Sequence, residues 1–163
     1  MASRPVSARY LKAGAVYLES LRALGLNPNF LGWGWDIAAE RWILVLVTSI
    51  IDAGGPLALN RLLFRAYNAE ATPKDISPFI VRVFSSAIVE NDFYMLGEKQ
   101  LTFKTVNGKK GDPIKIANVQ RTFSGIELEQ INSYQNLPNR KLKYHERRQA
   151  WQKFKNNVER LAA

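Results

Sequence analysis

WILVLVTSII, Trp42–Ile51, is the stretch on which the fold turns. Its apolar residues cover every face of the segment, which marks a buried central element. A helix is expected here. Asp36 can serve as its N-cap, and Ala38, Ala39, Glu40 and Arg41 lead into it as helix formers. A strand is the competing reading, because Ile43, Val45, Val47, Ile50 and Ile51 are β-branched.

Downstream, Gly54-Gly55 stops the element and Pro56 suits a first helical turn. LALNRLLFRAYN, Leu57–Asn68, then carries an apolar stripe of Leu57, Leu59, Leu62, Leu63 and Ala66. Asn60, Arg61 and Arg65 fall mostly outside it. After a connector at residues 69–74, Ser77-Pro78 signals another helix start. SPFIVRVFSSAIVEN, Ser77–Asn91, is expected to be helical. Phe79, Ile80, Val83, Phe84, Ala87 and Ile88 form its core stripe, opposite Arg82, Ser85, Ser86 and Glu90. Two strands follow, at Gln100–Val106 and Ile114–Val119. The turn-rich NGKKGDP between them predicts a hairpin with a Lys109-Lys110 tip.

The termini read as helices. Ser7 to Leu24 is amphipathic, with Ser7 as N-cap and Gly25 as stop. Trp33 and Trp35 sit in a Gly/Trp loop, and such indoles more often pack on a core than on a ligand. Residues from Thr122 through Tyr134 are expected to be helical, and Pro138 breaks that segment. A last basic helix starts near Arg140. Its Tyr144, Arg147, Trp151, Phe154, Val158 and Leu161 recur at spacings of three and four. That seam must be buried on the chain's own core or on a second copy. The organisation expected is an N-terminal helix and loop over 1–35, a core over 36–121 and a basic helical extension over 122–163.

The chain has 163 residues, 47% of them hydrophobic, enough for a sizeable core. Cysteine is absent, which excludes disulfides and cysteine nucleophiles and suits a reducing cytoplasm. The longest apolar run is half the roughly 20 residues of a membrane span, so no membrane partner is expected. Lys and Arg number 23 against 14 acids, a net charge of +9, which attracts polyanions. His145 is the single histidine, so a Ser-His-Asp set or a His/Cys metal cluster has little to build on. Asp36 with Glu40, and Glu90 with Asp92, are the acid pairs that could serve a metal-dependent nuclease, the least favoured class. No phosphate-cradling Gly fingerprint is present. No cofactor and no catalytic residue are expected.

Three helices and a basic hairpin, in that order, form a pattern that resembles winged-helix transcriptional regulators of the MarR type. The resemblance covers RWILVLVTSIIDAGGPLALNRLLFRAYN, ISPFIVRVFSSAIVENDFYML and the strand-turn-strand, about half the chain. It departs in its longer inter-helix turn and in lacking the family's Asp-x-Arg wing. It implies a mostly α fold with one two-stranded hairpin, a winged helix-turn-helix core, and terminal helices that pair two subunits. Double-stranded DNA would be the partner, with a small-molecule effector possible at the Gly/Trp loop. Ser77, Arg82, Ser85 and Ser86 would read base edges. Arg61, Arg65, Lys74, Lys109, Lys110 and Lys115 would meet phosphate. Tyr144, Trp151, Phe154, Val158 and Leu161 would make the homodimer seam. The alternative is a non-catalytic interaction module working through the basic C-terminal helix.

Overall fold

In the computed structural model, residues 5–86, 114–115, 122–123, 125–136 and 142–161 are described here. Helix α1 spans Ala8–Ala23, β1 Phe30–Asp36, β2 Arg41–Val47, α2 Ile51–Gly54 and α3 Pro56–Asn68. A 3₁₀ turn at Pro78–Ile80 leads into β3, Val81–Phe84. Short strands β4 (Ile114–Lys115) and β5 (Thr122–Phe123), the long β6 (Ile126–Asn136) and helix α4 (Tyr144–Leu161) complete the chain. The architecture is α/β around one mixed sheet of order β3-β2-β1-β6-β4, with β5 paired to β6.

The deciding stretch is a strand, not a helix. β1 and β2 form an antiparallel hairpin with Trp33 opposite Leu44 and Asp36 opposite Arg41. The helix formers that pointed the other way sit in its turn, residues 37–40, where Asp36 Oδ1 accepts from Ala39 N at 3.1 Å. That cap makes a single turn and stops, with Glu40 at φ 51°. Ile43 through Val47 are all buried, as expected, but because β2 is central, and the burial continues through Ile50 in the turn that follows. Leu44 and Leu46 join the core under the helices, and Ile43, Val45 and Val47 are buried on the opposite face. A strand covered on both sides reads as a continuous apolar run.

The second correction concerns Ser77–Asn91. Residues 77–84 are the 3₁₀ turn, capped by Ser77, and then β3, which pairs parallel to β2 with Val45 opposite Arg82, while residues 87–91 lie outside the described residues. The chain from β2 through α3 to β3 is therefore a β-α-β crossover. Residues 42–84 do not form a helix-turn-helix. Thr122–Phe123 and Ile126–Tyr134 are likewise strand rather than helix, since β5 pairs with β6 and β6 runs antiparallel along β1. Of the expected hairpin, residues 100–113 and 116–119 lie outside the described residues, and Ile114–Lys115 pairs with β6.

The helical periods at the termini and at α3 hold. Ser7 Oγ accepts from Tyr10 N at 3.2 Å and starts α1. Tyr17, Leu18 and Leu21 of α1, Leu59, Leu62, Leu63 and Ala66 of α3, and Phe154 and Val158 of α4 meet Leu31, Trp33, Leu44 and Leu46 of the sheet in one core. A bulge in β6 falls between the Gln135–Leu31 and Ser133–Gly32 pairs. The extra residue lets consecutive side chains reach the helix layer. Tyr134 Oη donates to Leu11 O at 2.6 Å and accepts from Trp33 Nε1 at 2.8 Å, while Gln135 bonds Arg22. Gly14 leaves room for that tyrosine, because a Cβ there would come within 2.3 Å of its hydroxyl. Trp33 is thus a core indole, stacked on Tyr10 at 5.2 Å. β6 and α4, both within 122–163, are integral to the sheet and its helix layer.

Candidate nucleic-acid interface

Helix α3 turns a mixed face outward. Its buried stripe uses Leu59, Leu62, Leu63 and Ala66. That leaves Asn60, Arg61, Arg65 and Asn68 exposed and Phe64 half-buried. Leu57, expected in the stripe, is 63% exposed and lies one and two turns before Arg61 and Phe64 on the outer face. Arg61, Phe64, Arg65, Asn68 and Ala69, with Leu161 from the end of α4, line an open groove of about 550 Å³.

The 3₁₀ turn sets an aromatic ring beside this helix. Phe79 packs edge-on against Phe64, with centroids 4.9 Å apart and planes at 71°. The ring is nonetheless 75% exposed. Its backbone is held on both sides: Ser77 Oγ accepts from Phe79 N, and Arg41 Nη2 donates to Phe79 O, both at 3.3 Å. The surface therefore joins an exposed, positioned aromatic to Arg41, Arg61 and Arg65.

Of the expected phosphate contacts, the structure brings Arg61 and Arg65 together, exposed and without an ion pair among the described residues. Lys74 is exposed and lies 3.7 Å from Glu70. Lys115 is on β4. Lys109 and Lys110 lie outside the described residues.

The expected base-reading set is dispersed, and this corrects the sequence reading. Ser77 caps the 3₁₀ turn. Arg82 sits on β3 and ion-pairs with Asp36. Ser85 is buried and donates to Asp52 Oδ2 at 2.9 Å, and Ser86 is half-buried just beyond it. Burial raises the Asp36 carboxyl pKa, but Ala39 N–H, Arg82 and Ala38 N–H outweigh it and hold the group below its ordinary value. Arg82 is thus committed to a carboxylate that is itself only 6% exposed.

The expected dimer seam is also reassigned in part. Phe154 and Val158 are fully buried in the chain's own core. Trp151 packs over Gly54, where a Cβ would come within 2.2 Å of the indole. Arg147 Nη1 lies 3.7 Å from Asp52 Oδ2 and adds a polar tie between α4 and α2. Only Tyr144 and Leu161 of that set remain exposed, at 66% and 40%.

Phe79, Phe64 and Arg41 were not singled out from sequence as surface residues. A helical period places Phe79 in a core stripe, and the sequence reads Arg41 as the flank of a helix. Among the described residues no group of three or more His, Asp or Glu side chains could hold a metal ion. His145 is exposed on α4. No described helix is long and apolar enough to cross a membrane. Comparison with protein-family models, curated proteins and solved structures finds no match.

Proposed function

We propose that this protein binds nucleic acid through the outer face of α3. The observation that carries the reading is the Arg61–Arg65 pair. Two guanidiniums one turn apart border an open groove, neither engaged by a described carboxylate, in a chain of net charge +9. Guanidinium is the group best matched to phosphate, because its fork of donors fits two oxygens at once. Binding would be led by phosphate and steered by the chain's field. The groove's Phe64 and Leu161 give an apolar wall on which sugars or bases can rest.

The test is fluorescence anisotropy of labelled oligonucleotides, titrated with the protein at several salt concentrations. Arg61→Ala with Arg65→Ala should weaken binding to all sequences alike. The dependence of log K on log salt should become shallower by about 1.4 on a single strand or about 1.8 on a duplex, from two lost phosphate contacts. Wild-type protein that binds no oligonucleotide at low salt would overturn the reading.

A further inference from the structure

We propose that the nucleic acid taken by this surface is single-stranded, with Phe79 as the platform on which an unpaired base stacks. The inference rests on the binding reading above and goes further in naming the form of the ligand. It begins from Phe79. A ring 75% exposed gains little from folding, yet its backbone is bonded from both sides and its edge is set on Phe64. Edge-to-face packing leaves much of Phe79 uncovered while Phe64 supports it. The ring is therefore presented with little conformational freedom left to lose on binding.

The surroundings select the occupant. Arg61 and Arg65 flank Phe64 on α3, and the Arg41 guanidinium reaches the Phe79 carbonyl. An aromatic face bordered by cations is the pairing that single strands use: stacking for the base and charge for the backbone. Duplex DNA keeps its base faces stacked on one another and offers phosphates and groove edges instead. The elements expected to read those edges are absent from residues 77–84, which are a 3₁₀ turn and a strand. A second copy of this chain is a poorer occupant. A two-fold contact centred on Phe79 would bring Arg41, Arg61 and Arg65 of one copy against the same cations of the other.

The experiment compares an unstructured oligothymidylate of about 16 nucleotides with a mixed-sequence duplex of the same length, by anisotropy at matched salt. The single strand should bind more tightly. Phe79→Ala should weaken single-strand binding about 5- to 150-fold, and Phe79→Trp should keep it. The salt dependence should stay as in wild type for both, since no cation is lost. Melting temperature should also be unchanged, because the ring is mostly outside the core. Equal or tighter duplex binding, or Phe79→Ala binding single strands as wild type does, overturns this inference and leaves the binding reading intact. So does a loss of self-association in Phe79→Ala, which would give the ring to a second copy. Absence of binding to either ligand overturns the reading beneath it.

Discussion

Truncating Phe154 tests where the C-terminal helix docks. The side chain is fully buried among α1, α3 and sheet residues of the same chain. A phenylalanine buries about 200 Å², worth about 5 kcal/mol at roughly 25 cal/mol per Å². Phe154→Ala keeps the Cβ but leaves a cavity, and such changes cost about 3–5 kcal/mol. Against a total stability of about 5–15 kcal/mol, that is a large share. For a chain of this size each kcal/mol lowers the melting temperature by about 2–4 °C, so a fall of about 6–20 °C is expected. Thermal melts followed by circular dichroism, at concentrations about tenfold apart, measure it. The loss should be the same at both concentrations, with elution on gel filtration unchanged. A variant that melts as wild type does but elutes as a smaller species would show that the seam belongs to an interface between copies.

Tyr17→Phe should stabilise the protein by about 1 kcal/mol, because it removes a buried hydroxyl that has no hydrogen-bond partner among the described residues; a lower melting temperature would mean that the hydroxyl is satisfied. Burial also pushes the Tyr17 phenol well above its ordinary pKa, so the absorbance change of phenolate formation at this residue should come only with unfolding. Asp36 contributes stability with the opposite pH sense. Its carboxyl pKa is lower folded than unfolded, so the contribution is present above the ordinary value of 3.8 and is lost as pH falls through the folded value. The stability gap between wild type and Asp36→Asn should be widest near neutral pH and should narrow in acid; a constant gap would contradict the Asp36–Arg82 pairing. Gly54→Ala should cost about 1–3 kcal/mol, because the added methyl collides with Trp151, and a urea titration would show it as an earlier midpoint. Lys109→Ala with Lys110→Ala should weaken nucleic-acid binding uniformly across sequences and make its salt dependence shallower; unchanged affinity at physiological salt would show that these two lysines make no phosphate contact.

The helices of this fold were legible because their signals are local. Ser7 before α1, Pro56 at the start of α3 and the three-four spacing of α4 each act within a few residues. The strands were harder for a physical reason. β2 is covered on both faces, so the alternation that marks a strand is lost, and length and β-branching are the remaining cues. Its hairpin turn is made of Ala38, Ala39 and Glu40, residues that favour helices, and Asp36 caps that turn as it would cap a helix. At β3, Phe79, Ile80, Val83 and Phe84 fall at helical spacing by coincidence. Val81 is buried under the helices and Val83 packs against that same core, while Arg82 between them reaches Asp36. That is a period of two, over too few residues to stand out. In β6 the alternation of Ile126-Glu127-Leu128-Glu129 is visible, but the bulge before Gln135 breaks it.

The same distinction decides which site residues could be found. Arg61 and Arg65 lie on the polar side of an amphipathic helix, and that side faces outward whatever the helix packs against. Their exposure follows from a local period, so it survives the change of fold around them. Arg82 had an equally plain sequence signature, one cation opposite an apolar stripe. Its availability depended on Asp36, which lies 46 residues away and meets it only because β2 separates β1 from β3 in the sheet. Phe79 shows the converse. Its apolar character argues for the core, and only the 3₁₀ turn, with Arg41 reaching over from β2, turns the ring out beside two arginines that form no ion pair among the described residues. A cation's freedom and an aromatic's exposure are thus tertiary properties, and a binding surface made of both emerges only when the strand order is known.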